Sequence, residues 1–144
     1  MEIVGEVVAK APRSVVASFF RDPKQVVECV PGIQSYEITG TAYKAKVKFK
    51  VGAISGTFNI EGDIKESKPE EVYTVTLRGR SMGNSFDAVA TVTLSDVEGG
   101  TKISYKAEAK LGGLLAALGK GLIEGVAKDI VTQLFQCAEK KVSQ

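Results

Sequence analysis

A change of hydrophobic period divides this chain into two parts. From Ile33 to Leu111, apolar and polar residues alternate with a period of two, interrupted by short turns that contain glycine or proline. After Gly112-Gly113, the apolar residues recur every three or four positions. Alternation places successive side chains on opposite faces of a strand, whereas a spacing of three to four places them on one side of a helix. The sequence therefore predicts a series of antiparallel strands followed by one long amphipathic helix.

The segment around residue 47 shows the alternation most clearly. Its apolar residues are Tyr43, Ala45, Val47, Phe49 and Val51, and the positions between them, 44, 46, 48 and 50, are all lysine. One face of this strand is apolar and the other carries four ammonium groups. The same phase recurs over residues 54–64, 73–79, 86–94 and 103–111. We therefore predict that one face of the whole sheet is buried and that the other faces water.

Elements at the two ends complete the predicted fold. Residues 2–10 alternate as a half-buried strand, and two short helices follow, one ending near Phe20 and one near Cys29, before Pro31-Gly32. The C-terminal helix carries an apolar stripe made of Leu114, Leu118, Leu122, Val126, Ile130, Leu134 and Cys137. A helix of about 28 residues would extend some 42 Å, enough to cross a curved sheet.

These elements predict an α+β protein of one domain, residues 1–144. A curved seven-stranded antiparallel sheet grips the long C-terminal helix, and the two short helices follow strand 1. We interpret the inward glycines Gly56, Gly62 and Gly79 as points of curvature. Three further glycines, at 119, 121 and 125, lie in the predicted helix. They leave two interpretations open: a close approach of helix and sheet, or a space between them that a ligand fills.

Composition excludes several kinds of chemistry. The chain has no histidine, which rules out a Ser-His-Asp triad, a His-ligated metal and an imidazole acid-base catalyst. Cys29 and Cys137 lack metal or redox spacing, and we predict that they are small buried side chains and not a bridge. A net charge of +2 argues against a nucleic-acid partner. The acidic N-terminus and the lack of an 18-residue apolar run predict a cytoplasmic protein.

Three stretches carry a resemblance to a known family: DPKQVVECVPGIQSYE at 22–37, YKAKVKFKVGAISGTFNIEGDI at 43–64 and GGLLAALGKGLIEGVAKDIVTQLF at 112–135. They resemble the CoxG family of carbon monoxide dehydrogenase subunits, within the START-like, helix-grip (SRPBCC) superfamily, over nearly the whole chain. The resemblance implies a ligand-binding domain without a catalytic set, a metal or a cofactor. It further implies an accessory role beside a molybdenum-hydroxylase-type oxidoreductase such as carbon monoxide dehydrogenase, with a quinone- or lipid-like ligand.

Many members of that family continue into a linker and a hydrophobic tail after the long helix. This chain ends at Gln144, shortly after the predicted helix. We therefore expect any membrane contact to be peripheral and to involve the folded surface.

The predicted binding site is an apolar cavity of about 300 to 1,000 Å³ between sheet and helix. Its expected lining consists of inward side chains from the strands and apolar residues of the helix: Tyr43, Phe49, Phe58, Tyr73, Leu77, Phe86, Tyr105, Leu118, Leu122 and Val126. Tyr73 and Tyr105 are the preferred polar contacts, because a buried phenol hydroxyl requires a hydrogen-bonding partner. For each aromatic residue, ordinary core packing is the alternative.

Two other functions remain open from the residues. The lysine row could bind an acidic partner or anionic lipid, although Glu61 and Asp63 on the next strand are expected to pair with it. The protein would then assemble or recruit an oxidoreductase through its outer surface. A cyclase- or hydratase-type enzyme is disfavoured, because the inward positions are predicted to hold no catalytic acid or base.

Overall fold

Seven strands form the sheet: β1 (Glu2–Ala9), β2 (Ile33–Thr39), β3 (Ala42–Val51), β4 (Ile54–Lys68), β5 (Val72–Ser81), β6 (Asn84–Val97) and β7 (Gly100–Gly113). The computed structural model describes residues 1–142. The sheet is antiparallel throughout, in the order β1-β7-β6-β5-β4-β3-β2, so β1 and β2 are its edges. The α+β helix-grip architecture predicted from the sequence is confirmed. Of the predicted domain 1–144, residues 143 and 144 lie outside the described residues.

Three helices accompany the sheet: α1 (Arg13–Arg21), α2 (Pro23–Glu28) and α3 (Lys120–Val142). Asp22 separates the first two, because its carboxylate accepts hydrogen bonds from the N–H groups of Lys24 and Gln25 while Pro23 takes the first position of α2. The predicted alternation also holds in the sheet. On β3, Tyr43, Ala45, Val47 and Val51 are buried, and the four lysines between them are exposed.

Inward aromatic rings lie opposite glycines on neighbouring strands. The cross-strand pairs are Tyr105 with Gly5, Tyr43 with Gly62, Phe49 with Gly56, and Phe86 with Gly79. In three of them, all but the Phe49 pair, the ring occupies the place that a Cβ atom on the glycine would take. The role of Gly62 and Gly79 is thus to accommodate a ring, a role that the interpretation as curvature points missed. These three aromatic rings consequently extend along the surface of the sheet, over the glycine of the neighbouring strand.

Two clusters form the apolar core. The first joins α1, the last turns of α3 and one end of the sheet. In it, Phe135 lies 5.9 Å from Phe19 and 5.5 Å from Phe20, and Phe20 stacks on Tyr73 at 4.8 Å between ring centres. The second, smaller cluster places Val27 of α2 against the inner face of β3. The end of the sheet nearest α1 is therefore the closed end.

The C-terminal helix begins later than predicted. Strand β7 continues to Gly113, whose backbone has φ 70° and whose position leaves no room for a Cβ atom beside the carbonyl of Gly83. A 3₁₀ turn (Leu114–Ala117) follows, held by a 3.0 Å hydrogen bond from the Leu115 N–H to Asn84. Leu118 is extended, and α3 starts at Lys120. Its 23 residues span about 34 Å at 1.5 Å per residue, less than the predicted length.

Helix α3 runs beside the free edge of β1. Its side chains Glu124 and Glu139 accept hydrogen bonds from the N–H groups of Val4, at 3.4 Å, and Lys10, at 2.9 Å. Among the strands, β1 has the most extensive contact with the helix. One N–H group of this edge, that of Val4, and the N–H of Lys10 just after the strand are thus occupied and not open to another chain.

The prediction of two separate cysteines is wrong. Cys29 follows the last turn of α2 and forms a disulfide with Cys137 of α3, with the two Cα atoms 5.5 Å apart. The residues are 108 positions apart in the chain. Spacing along the sequence carries no information on this pair, because only the docking of α3 beside α2 brings the sulfur atoms together.

Replacing both cysteines with serine should destabilise the fold. Because the disulfide closes a loop of 108 residues, its loss should lower the free energy of unfolding by about 2–4 kcal/mol. Urea unfolding with and without dithiothreitol measures this difference. The reductant should have no further effect on Cys29→Ser/Cys137→Ser. Equal unfolding midpoints for the oxidised protein and the double variant would contradict the pairing.

Candidate functional site

The inner face of the sheet is only partly covered at the end away from α1. Three phenylalanines meet there: Phe49 and Phe58 have ring centres 4.0 Å apart, and Phe86 contacts Phe58 edge-on at 5.3 Å. Phe58 is buried, but Phe49 and Phe86 are only half-buried, as is Leu77 on β5. This open end also carries the β3–β4 turn and the start of α3.

The first half of α3 leaves apolar side chains unburied. Leu122 is 43% exposed and Ile130 is 45% exposed, whereas Phe135 near the end of the helix is 5% exposed. Apart from the adjacent residues and the backbone of the helix itself, no atom of residues 1–142 lies within 4 Å of where a Cβ would stand on Gly121 or Gly125. Of the two interpretations of the helical glycines, close approach to the sheet therefore fails. We call the region bounded by Phe49, Phe58 and Phe86 on the sheet and by Leu122, Val126 and Ile130 on α3 the inner cleft.

Not all the predicted lining residues belong to the inner cleft. Phe49, Phe58, Phe86, Leu122 and Val126 lie at or near the open end, whereas Leu77 packs against the cluster that contains Val27 and Tyr43. Tyr43 packs instead in the cluster beneath α2, and Tyr73 packs with Phe20 at the closed end. Leu118 is half-buried in the extended link before α3, and Tyr105 faces Gly5 near the edge of the sheet. The structure thus separates one predicted cavity wall into several environments.

Tyr73 already has a hydrogen-bonding partner. It is 1% exposed, and its hydroxyl donates to the Glu66 carboxylate at 2.7 Å. Glu66 also accepts from the Glu70 N–H and from Arg21, and together these donors hold its pKa below the usual range. Glu66 lies opposite Tyr73 in the inward phase, so the expectation of no inward acid or base is wrong at this position. The low pKa keeps this carboxylate ionised at the closed end.

The environment of the Tyr105 hydroxyl differs from that of Tyr73. The oxygen is buried and makes no hydrogen bond within the part of the chain described by the structure. Burial raises the pKa of its phenol, with a further contribution from Glu124 nearby. The hydroxyl lies under the α3–β1 contact, where its ring fills the space beside Gly5.

The outer face carries a row of alternating charges across six strands. Neighbours in the register are, in order, Glu37, Lys44, Glu61, Arg78, Asp87 and Lys110. Arg78 and Arg80 both bond to Asp87 at 3.2 Å. These arginines are thus occupied by an intramolecular partner. Opposite charges on adjacent strands stabilise the sheet modestly.

The expected pairing of the β3 lysines with acids is mostly wrong. Only Lys44 faces an acid, Glu61, while Asp63 lies opposite Ala42. Lys46, Lys48 and Lys50 face Asn59, Thr57 and Ser55, respectively. None of these three lysines makes an ion pair within residues 1–142. A basic strip therefore runs along β3 without intramolecular compensation.

Two grooves of about 850 and 700 Å³ cross this outer face. They lie on either side of the row of alternating charges, and residues of that row line both of them. No described residue of α3 lines either groove. They are surface depressions, separate from the inner cleft.

Nothing in residues 1–142 groups three or more acidic or cysteine side chains as a metal site would require. No helix within the same range is long and apolar enough to span a membrane. The arrangement around the inner cleft offers apolar contact, and the charges lie outside it.

Sequence reasoning missed two features of the site. Ile130 belongs to the predicted helical stripe, yet the predicted cavity lining omits it. Cys137 belongs to the same stripe and lies on the side of α3 that carries Leu122 and Val126. This helical spacing was a sequence signal that this side of α3 approaches the rest of the fold.

Two tyrosine substitutions should have different effects. Tyr73→Phe removes a hydrogen bond to a carboxylate and should lower the free energy of unfolding by about 1–2 kcal/mol, whereas Tyr105→Phe removes an unpaired buried hydroxyl and should be neutral or stabilising by up to about 1 kcal/mol. Urea unfolding at pH 7 measures both. A loss above about 1 kcal/mol for Tyr105→Phe would mean that this hydroxyl has a partner in solution.

Comparisons with known proteins agree with this fold. A conserved protein from Geobacillus kaustophilus is 25% identical, with a TM-score of 0.87 over 99% of this chain and 95% of that one. A START superfamily protein from Mycobacterium smegmatis is 12% identical, with a TM-score of 0.71 over 99% of this chain and 97% of that one. The fold is therefore START-like. No curated protein matches the chain.

The family comparison covers almost the whole sequence. Residues 5–143 match the model of the CoxG family, which is described as a subunit of carbon monoxide dehydrogenase. This match includes all of α1, α2, the strands β2 to β7 and the inner cleft. The chain belongs to the CoxG family of carbon monoxide dehydrogenase subunits.

Proposed function

We propose that this protein binds an apolar small molecule, quinone-like or lipid-like, in the inner cleft and carries it without changing it. The observation that supports this most directly is the exposure of Leu122 and Ile130 on a helix whose far end is fully packed. Leaving such side chains in water costs free energy, at roughly 25 cal/mol per Å² of apolar surface. A ligand that covers them recovers this free energy.

The shape of the sheet favours the same function. Because the Phe86 ring lies over Gly79 and the Phe49 ring beside Gly56, the aromatic layer stays close to the backbone. In this proposal, the ligand lies between that layer and α3. Flat rings offer broad apolar contact to a bound molecule with little loss of side-chain freedom.

The chemistry of the surroundings supports binding without catalysis. The charged groups are on the outer face or at the closed end, as with Glu66. An acid or base that acts on a ligand must lie within hydrogen-bond reach of it. The cleft as bounded above contains apolar side chains only, so the proposed mechanism is burial and release.

The family name supports an accessory role. In this proposal the protein delivers its ligand to, or receives it from, a carbon monoxide dehydrogenase or a related molybdenum-hydroxylase-type oxidoreductase. Contact with the enzyme would use the outer surface or the rim of the cleft.

A charge placed in the cleft should abolish binding. Leu122→Glu should weaken binding of the neutral probe N-phenyl-1-naphthylamine by at least about tenfold, because a carboxylate resists transfer out of water. A fluorescence titration measures the dissociation constant, and native mass spectrometry detects any co-purified apolar ligand. Val89→Glu is the matched control, since Val89 is 52% exposed on the outer face. Failure of the unmodified protein to bind any apolar probe or lipid extract would refute the proposal.

A second candidate function is assembly or recruitment through the basic strip. The specific observation is that Lys46, Lys48 and Lys50 face neutral residues across the β3–β4 pair. Such lysines remain available for an acidic surface on a partner.

Charge reversal separates this candidate from the first. The triple variant Lys46→Glu, Lys48→Glu and Lys50→Glu should lose capture of a carbon monoxide dehydrogenase-type enzyme in a pull-down while binding the apolar probe normally. The same reversal at Lys106, Lys110 and Lys128 changes the net charge equally at other exposed positions and serves as the control. Equal capture by the two triple variants would argue against the strip.

A further inference from the structure

One side of α3 carries both apolar residues of the inner cleft and the disulfide. Leu122, Val126, Ile130 and Cys137 fall within about 80° around the helix axis at 100° per residue. The position of Cys137 is fixed by its bond to Cys29 at the end of α2. This side of α3 therefore faces α2 and the neighbouring β3–β4 turn.

Two contacts close this side at its ends. Near the start of α3, the Leu122 side chain lies 3.6 Å from where a Cβ on Gly52 would be, at the β3–β4 turn. Near the end of α3 is the disulfide. Between them Ile130 is 45% exposed and Val126 is half-buried. We call this gap between α3 and the α2 side of the fold the lateral slot.

The two sides of α3 are attached in different ways. Toward β1 and α1, the helix is held by the hydrogen bonds of Glu124 and Glu139 and by Phe135 against two rings of α1. Toward α2, the described contacts include the disulfide and a 3.1 Å ion pair between Lys141 and Glu28, whose side chains are 35% and 36% exposed. An exposed ion pair contributes little, at most about 1 kcal/mol. Val26 of α2 also packs in the apolar cluster that contains Phe135 and Ala138, so the disulfide is the covalent attachment among several contacts on the slot side.

We propose that the lateral slot is the route of the ligand and that the Cys29–Cys137 disulfide is a redox-controlled clamp on it. This inference rests on the proposed function, since it concerns access to the same cleft. With the bond intact, α2 and α3 stay together and the ligand exchanges slowly. With the bond reduced, α3 remains docked on β1 and α1 but separates from α2, and the slot widens.

The reductant is a dithiol. Cys29 is 5% exposed and Cys137 is half-buried, so a thiolate of the dithiol attacks the Sγ of Cys137 and Cys29 leaves as a thiolate that takes up a proton. The second thiol of the reductant then attacks the mixed disulfide and releases Cys137 as a thiol. Two electrons and two protons pass to the protein, and the dithiol becomes a disulfide.

Exchange kinetics test the clamp. Stopped-flow fluorescence with N-phenyl-1-naphthylamine is compared for the oxidised protein, the protein in dithiothreitol and Cys29→Ser/Cys137→Ser. Association and dissociation rates should both rise about tenfold on reduction, which corresponds to a lower barrier, while the dissociation constant changes less than about threefold. The double variant should be fast with or without dithiothreitol. Rates that do not depend on the disulfide, with binding intact, overturn the clamp and leave the proposed function standing.

Opening the other end of the slot tests the route with the disulfide in place. Leu122→Ala removes the side chain beside Gly52 and should also speed exchange several-fold in the oxidised protein. Val8→Ala is the control, because Val8 is 57% exposed on the outer phase of β1. Equal rates for the two variants would overturn the lateral slot as the route.

A measurement without ligand keeps the clamp testable if no probe binds. Hydrogen–deuterium exchange of the amides of residues 120–141 should accelerate on reduction, while the amides paired between β6 and β7 keep their protection. Circular dichroism should show that the reduced protein retains its helices. Unchanged exchange in α3 overturns the clamp, as does general unfolding on reduction, because the bond would then be needed for the fold itself.

Discussion

The anchoring of α3 at one end is the interaction on which the rest of this structure depends. Phe135 packs against Phe19 and Phe20, and the Cys29–Cys137 disulfide joins the same end of the helix to α2. Because these contacts hold the last turns, the first turns need not pack on the sheet for the helix to stay in place. Leu122 and Ile130 therefore remain partly exposed. The same arrangement produces a closed end and an open end.

The glycine–aromatic pairs complement this one-sided anchoring. A ring over a glycine covers backbone that would otherwise be bare, and it does so without projecting far from the sheet. Phe86 over Gly79 is such a case at the open end. The rings thus keep the inner face apolar while lying close to the backbone. This face and the incompletely packed half of α3 together bound the inner cleft.

Charge and apolar surface are separated by the strand register. Acidic and basic side chains on the outer face lie opposite one another on neighbouring strands, as Arg78 and Asp87 do. Much of their charge is therefore paired within the sheet. Where the register offers no acid, as opposite Lys46 and Lys48, charge stays available on the surface. The proposed binding of an apolar molecule requires such a separation, because a buried unpaired charge would disfavour both the fold and the ligand.

The sequence by itself determined the architecture, since its signals are local. Period-two alternation, the Asp22-Pro23 break and the helical stripe specify strands, two short helices and a final helix from neighbouring residues alone. The inner and outer faces followed from the same alternation, and with them most residues of the inner cleft, such as Phe49, Phe86 and Leu122.

Only the tertiary structure decided which distant residues meet. The disulfide joins positions 108 residues apart, the extension of β7 to Gly113 depends on pairing with β6, and the partner of Tyr73 is an acid on β4. The acids expected beside the lysine row are displaced by the register of β3 and β4. Periodicity tells which face a side chain occupies, but register and helix docking determine what it touches. For that reason the apolar inner face was predictable from the sequence, while the open end of the fold and the disulfide were not.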